Sequence, residues 1–335
     1  MNQPPPKPLP GVTVIIAARP GQADVKAVAA ARQLDYPADL LEIIVARGTQ
    51  PSRQRNLAID KARGELVYFL DDDSIPPSGN LHQASGHFLR DQTVKLVGGP
   101  NVCPADASPL QKMFELVLGS WIAFGPSRAR YKPLGKNWRP ASEKELILCN
   151  LIVRRDTLIE HGGFNEGLYP NEENALMDDI QKRGGLAIYD PKFIVWRHPR
   201  ETPKSFIKML MTYGRGRAEQ FRLNPTFGSA LNFAPPLFCV YLLSLVVLEV
   251  LSLGNSFSPF KLWAAAPLAV YVAAIILQSV ALIPAGGLGR SLSAMPWLVA
   301  AHLFYGLGFW RGLFTRLNRG KNNSSTEVTL ETIRF

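Results

Sequence analysis

The sequence predicts a two-part chain: an α/β domain over residues 11–205, then a C-terminal unit of transmembrane helices over residues 231–315. Short, β-branched apolar runs alternate with helix-like segments up to residue 70, the order of a sheet with parallel strands and right-handed crossovers. Residues 231–310 carry three charged side chains, Glu249, Lys261 and Arg290. They also contain apolar stretches long enough to cross ~30 Å of hydrocarbon. Overall, 47% apolar and 19% charged residues argue against disorder and against a coiled coil.

The elements follow in order. The opening MNQPPPKPLP is a proline-rich, flexible leader without the apolar core of a signal peptide, which places the α/β domain in the cytoplasm. VTVIIAA (12–18) and LEIIVA (41–46) read as strands buried on both faces, with an alanine-rich helix over 23–34 between them. QRNLAIDKA (54–62) is a second helix and ELVYFL (65–70) a third buried strand. PLQKMFELVLGSWIAF (109–124) is an apolar helical pattern, either core or interfacial. Segments 235–253 and 263–283 read as spans, and 296–314, interrupted by His302 and Arg311, as either a third span or an interfacial segment. If all three cross, the basic tail (Arg316, Arg319, Lys321) lies outside, against the positive-inside tendency; two crossings keep it inside.

Charge and cysteine narrow the chemistry. With 37 Lys and Arg against 27 Asp and Glu, the net charge is +10, pointing to anionic partners. Nucleic acid is disfavoured, since no aromatic-basic repeat or zinc-finger spacing is present. Three scattered cysteines exclude a disulfide framework and a four-thiolate zinc site. The first strand continues AARPGQ rather than GxGxxG, which excludes a Rossmann dehydrogenase.

The third strand runs into Asp71, Asp72 and Asp73. Three carboxylates at a strand's carboxyl edge repel one another unless a cation is near. Hard oxygen donors suit Mg²⁺ or Mn²⁺, ions that usually accompany a diphosphate. Alone, the triplet reads equally as a solvated acidic turn into Pro76 and Pro77.

FLDDDSIP (69–76) resembles the DxD-type motif of family-2 glycosyltransferases. Further stretches fall in that family's order: VTVIIAAR (12–19), QRNLAI (54–59), VGGPNV (97–102), CNLIVRRDTLIEHGGFNE (149–166) and NEEN (171–174). FIKMLMTYGRGRAEQ (206–220) and HLFYGLGFWRGLF (302–314) are similar to succinoglycan-type membrane glucosyltransferases that lengthen lipid-linked sugars. The resemblance implies a GT-A nucleotide-sugar-binding domain with a Rossmann-like mixed sheet, an inverting mechanism and a divalent ion, Mg²⁺ or Mn²⁺. It implies a metal held by Asp73, Asp71 and His198, and donor contacts from Ala17, Arg19, Arg55, Asp71, Asp72 and Asn150. A UDP-sugar is the favoured donor, although the second strand ends in Ala46 and Arg47, where the family usually has acids.

Inverting transfer needs a carboxylate base near the acceptor hydroxyl. The resemblance assigns this to Glu173, with Glu172 second. Without it, both acids read as favourable charges at the start of a helix. Residues 206–230 form a basic amphipathic stretch in which Phe206, Ile207, Met209, Leu210 and Met211 rest in the headgroup boundary of the membrane lipid. Arg215 and Arg217 then meet the phosphate of donor or lipid acceptor, or hold acidic lipid electrostatically. Residues 316–335 are a polar tail. The expected activity is transfer of one sugar to a polyprenyl-linked glycan at the cytoplasmic face of a bacterial inner membrane, in polysaccharide or glycoconjugate assembly. The runner-up is transfer onto polyprenyl phosphate. A transporter or membrane anchor is the non-enzyme alternative; three apolar segments are too few for a repeat-built transporter unless the chain is a homo-oligomer, which stays open.

Overall fold

The computed structural model describes residues 8–168, 170–223, 225, 227–251, 259–315 and 327–335. They fall into two compact units, one holding residues up to 105, 129–198 and the C-terminal strand, the other 106–128 and 199–315.

The first unit is built on an eight-stranded sheet. Its opening elements are β1 (Val12–Ala18), α1 (Lys26–Ala31), β2 (Leu41–Arg47), α2 (Pro51–Lys61), β3 (Leu66–Asp71), α3 (Asn80–Arg90), β4 (Val94–Gly98) and β5 (Asn101–Val102). The second unit contributes α4 (Pro109–Leu118) and α5 (Trp121–Phe124) before the chain returns through β6 (Arg139–Pro140), β7 (Leu151–Arg154), α6 (Arg155–Glu160), α7 (Glu172–Lys182), β8 (Leu186–Tyr189) and β9 (Val195–Trp196). The last strand, β10 (Thr329–Arg334), completes the order β10-β2-β1-β3-β7-β4-β8-β6. β5 and β9 form a separate parallel pair.

β1 pairs in parallel with both β2 and β3, while β7 and β10 run antiparallel to their neighbours. Period-2 alternation sends Val12, Val14 and Ile16 to one face and Ile15 to the other; likewise Tyr68 and Leu70 oppose Val67 and Phe69. One face is covered by Ala27 and Ala31 of α1 and Leu81, Ala84 and Phe88 of α3. The other is covered by Ala58 and Ile59 of α2, Leu158 of α6, and Leu176, Met177 and Ile180 of α7. Burial on both sides is why these strands are continuous apolar runs in sequence.

The second unit adds α8 (Pro203–Leu223), α9 (Ala234–Leu251) and α10 (Pro259–Phe314). α10 is two helices joined at Gly287, whose φ of 73° breaks the helical path. α8 packs on its second half at very short range: a Cβ on Gly308 would lie 2.1 Å from the Met211 carbonyl oxygen, and one on Gly214 2.0 Å from that of Tyr305. Small residues permit this backbone approach. Phe114 of α4 stacks on Phe206 of α8 at 4.0 Å between ring centroids, with Trp297 edge-on.

Three sequence expectations change here. Segment 109–124 breaks into two helices after a capping box between Ser108 and Gln111, and it belongs to the second unit rather than to the α/β domain. Phe206, Met209 and Leu210 are buried inside the second unit instead of facing headgroups, because α4 and α10 cover them. The tail forms a sheet strand; Arg316, Arg319 and Lys321 lie outside the described residues. Along α9, by contrast, Leu237, Leu243, Val246 and Val250 are exposed and Pro236 is the one buried residue. An apolar helix left this uncovered is not a core helix of the described chain.

Candidate active site

The sheet creates the site by its strand order. β1 lies between β2 and β3, so the β1–β2 and β2–β3 connections run in opposite directions across the sheet, and ligands of such sheets bind in the crevice at the carboxyl ends of the strands where the direction reverses. Register places Ala17 of β1 beside Asp71 of β3 and Ala46 of β2. Asp71, Asp72 and Asp73 therefore leave the strand at this crevice.

Each aspartate has its own partners. Asp71 Oδ2 pairs with Arg197 Nη1 at 3.0 Å, and its Oδ1 meets Arg55 Nη2 at 3.5 Å. Asp73 Oδ1 accepts from Arg197 Nε at 2.6 Å. Asp72 turns the other way, accepting from Gln22 Nε2 at 2.9 Å, while its carbonyl receives the Ala27 amide. It thus ties β3 to the loop before α1, where Arg19 is exposed and its amide donates to Gln22 Oε1 at 3.3 Å. Gln22 also accepts, at its carbonyl, from Arg47 Nη1 at 2.5 Å.

Arg55 links the aspartates to the acids of α7. Its side chain is 9% exposed, and Nη1 donates to Glu172 Oε1 at 3.1 Å. The result is a line of alternating charge: Asp73, Arg197, Asp71, Arg55, Glu172. Glu172 is 3% exposed, and among the described residues its buried Oε2 has no hydrogen-bond partner. Burial and the neighbouring Glu173 push its pKa up to about 7, against the opposing pull of Arg55. Glu173 is half-buried, and its Oε1 accepts from Asn174 Nδ2 at 3.1 Å. Both acids open α7, where the helix dipole favours negative charge. The turn into them passes through Asn171, which holds a left-handed φ of 106°. Asparagine tolerates that region better than most residues. Asn174 is itself fixed by Asn171 Oδ1 at 2.5 Å and by Arg130.

The structure brings Ala17, Arg55, Asp71, Asp73, Glu172 and Glu173 into one connected region, and other expected residues have partners of their own. Asn150 is fully buried: its Oδ1 accepts from Tyr68 at 2.8 Å and its Nδ2 donates to the Phe193 carbonyl at 2.6 Å. With both ends of its amide engaged in the core, it braces β3 rather than touching a donor. Arg215 and Arg217 belong to the second unit, where Arg215 Nε lies 3.5 Å from Glu219 and Arg217 Nη1 donates to Gln220 at 3.0 Å. Cys149 is buried beside Arg197, and burial pushes its thiol up to about 12, so it is neutral near pH 7. Arg197 is not among the residues the sequence points to: it directly precedes His198, but no local pattern marks it as a partner for a residue 124 positions away.

Asp71 and Asp73 direct oxygens at one cationic centre, so the donor chemistry suits a hard divalent ion. In the structure that centre is the Arg197 guanidinium. Among the described residues no three His, Cys, Asp or Glu side chains come together around a single point. His198, half-buried, follows Arg197 at the end of β9.

The glycosyl transferase family 2 model matches residues 26–162. Among solved structures, the mannosyltransferase PcManGT of Pyrobaculum calidifontis, in complex with GDP-Man and Mn²⁺, is 18% identical with a TM-score of 0.55, covering 93% of this chain and 89% of that one. The TarS 1–349 structure of S. aureus in complex with UDP is 14% identical with a TM-score of 0.41, covering 90% and 91%. No curated protein sequence matches the chain. The chain is a glycosyltransferase: it carries a family 2 domain on a GT-A fold, followed by long apolar helices.

Proposed function

We propose that the protein transfers one sugar, with inversion, from a nucleoside-diphosphate sugar to a polyprenyl-linked glycan at the cytoplasmic face of a bacterial inner membrane, in polysaccharide or glycoconjugate assembly. The observation that carries this reading is the crevice at β1 and β3, where the aspartates of one strand end connect through Arg55 to the acids of α7.

In this reading Glu173 is the base. It is more open than Glu172, and its carboxylate takes the acceptor proton as the hydroxyl attacks the anomeric carbon. Glu172, buried on Arg55, sets the position of the α7 N-terminus. Asp73 and Asp71, with His198 beside them, would hold Mg²⁺ or Mn²⁺, which supplies charge neutralisation for the departing diphosphate. Arg55 and Arg19 supply further cationic surface along the same crevice. The exposed apolar faces of α9 and α10 support a membrane anchor, and an anchor brings the site to an acceptor that cannot leave the bilayer.

Purified protein in detergent, given radiolabelled UDP- and GDP-sugars with Mn²⁺ and a bacterial lipid extract, should move label into an organic-extractable product. Mass spectrometry of that product separates a lengthened glycan from a polyprenyl-phosphate sugar. Absence of both transfer and donor hydrolysis across the donor panel would overturn the reading.

A further inference from the structure

Arg197 occupies the place where two site carboxylates meet. Its Nε lies 2.6 Å from Asp73 Oδ1 and its Nη1 3.0 Å from Asp71 Oδ2. The backbone beneath it is fixed on both sides. The Arg197 amide donates to the Val102 carbonyl at 3.1 Å, and Trp196 exchanges two 2.9 Å hydrogen bonds with Ile75, just past the aspartates. A guanidinium is charged at every accessible pH and its planar fork suits carboxylates. Burial opposes that charge, but Asp71, Cys149 and Asp73 outweigh it and hold the Arg197 pKa well above its ordinary value.

A divalent ion would compete with the guanidinium for these oxygens. A divalent ion drawn to the carboxylates meets a fixed positive charge within a few ångströms, and like charges that close repel one another. A diphosphate changes the balance: it brings negative charge for the ion and a new anion to which the guanidinium can turn.

We propose that Arg197 is an internal counter-cation of the Asp71–Asp73 pair that makes divalent-ion binding conditional on the nucleoside diphosphate. Arg197 holds both carboxylates until the nucleotide arrives, then releases them and pairs with phosphate oxygens. This rests on the metal-dependent transferase reading above and assigns Arg197 a positioning and regulatory role within it. It also gives a reason for the line of alternating charge: with Arg197 on one side of Asp71 and Arg55 on the other, the acids need no metal ion to be neutralised.

The test is Mn²⁺ binding to the full chain in detergent, read from loss of the free-ion electron paramagnetic resonance signal, without nucleotide and with UDP or GDP. In the wild type, nucleotide should tighten Mn²⁺ about 10- to 100-fold, the usual range for coupled sites. Tight Mn²⁺ binding without nucleotide overturns the proposal, and this arm needs no variant. In Arg197→Gln, Mn²⁺ should bind about tenfold more tightly than in the wild type without nucleotide, and the coupling should fall below about threefold. Mn²⁺ should also raise the melting temperature of this variant more than that of the wild type. Coupling that survives Arg197→Gln unchanged overturns the proposal. Asp73→Asn separates the two readings: it should abolish Mn²⁺ binding in every condition. Retention of Mn²⁺ by Asp73→Asn would refute the metal site itself. Loss of Mn²⁺ in Asp73→Asn, with no tightening in Arg197→Gln, refutes the counter-cation alone.

Discussion

Replacing Glu172 by glutamine should flatten the pH-dependence of stability of the sheet domain. The wild-type carboxyl, buried beside Glu173, has its pKa pushed up to about 7 from an ordinary 4.5. Below pH 4.5 the folded and unfolded chains both hold this proton. Between 4.5 and about 7 the folded chain keeps it and the unfolded chain gives it up, so stability is lost as pH rises through the folded value. A shift of this size is worth ~3 kcal/mol at most, from about 1.4 kcal/mol per unit of pKa. For a domain of this size ~3 kcal/mol corresponds to roughly 5–10 °C in melting temperature. Glutamine offers Arg55 an acceptor and has no proton to lose. The assay is a melting curve at pH 5 and pH 8 for wild type and Glu172→Gln. The drop between the two pH values should be several degrees larger in the wild type, and the difference of differences cancels groups that titrate alike in both. Equal drops would show that Glu172 is ionised throughout, held by Arg55, and would refute the assignment of its proton.

Glu173→Gln should lower turnover by about 10²–10⁴-fold, the usual contribution of a general base, with donor binding little changed in an equilibrium assay. Glu172→Gln should cost much less turnover, and the reverse ranking would make Glu172 the base. Arg55→Gln leaves Glu172 buried without its ion partner and should destabilise the domain by about 3–5 kcal/mol, seen as a lower melting temperature at pH 8; a second change, Glu172→Gln, should restore part of it. A reporter fused after Phe335 should give a cytoplasmic signal, like one fused to the N-terminus; a periplasmic signal would mean that β10 does not join the sheet.

The strands were legible because each is buried on both faces, and short continuous apolar runs such as VTVIIAA and ELVYFL are what such burial requires of a sequence. Asp71 and Asp73 were legible because they end such a run. Residues whose role is set by distant partners were not. Arg197 reaches Asp73 across the whole sheet domain in sequence, and nothing in VWRHPR distinguishes a cation that meets acids from one that meets water. Asn150 sits in a matching motif, yet Tyr68 and Phe193 engage its amide in the core. The burial of Phe206 was hidden for a similar reason. A helix with one apolar face looks the same whether lipid or a neighbouring helix covers it, and only Phe114 and Trp297 decide between them.

The C-terminal strand shows how one local solution constrains the whole chain. β2 would otherwise present a bare edge of buried apolar residues, an invitation to pair with another molecule. β10 covers it over Thr329–Arg334, with Leu330 reaching the core on one face of the sheet and Ile333 the core on the other. Charges cross the same seam: Glu331 lies 3.5 Å from Arg47 and Arg334 3.6 Å from Glu42. With the membrane anchor proposed above, β1 and β10 share one sheet and must lie on one side of the membrane, so the number of crossings between them is even. α9 and the first half of α10 would provide two. The second half of α10, beyond the break at Gly287, is the part against which α8 packs through Gly214 and Gly308. In that topology the third apolar segment stays on the cytoplasmic side as a packing partner of α8, and the pairing of β10 with β2 is what argues against a third crossing.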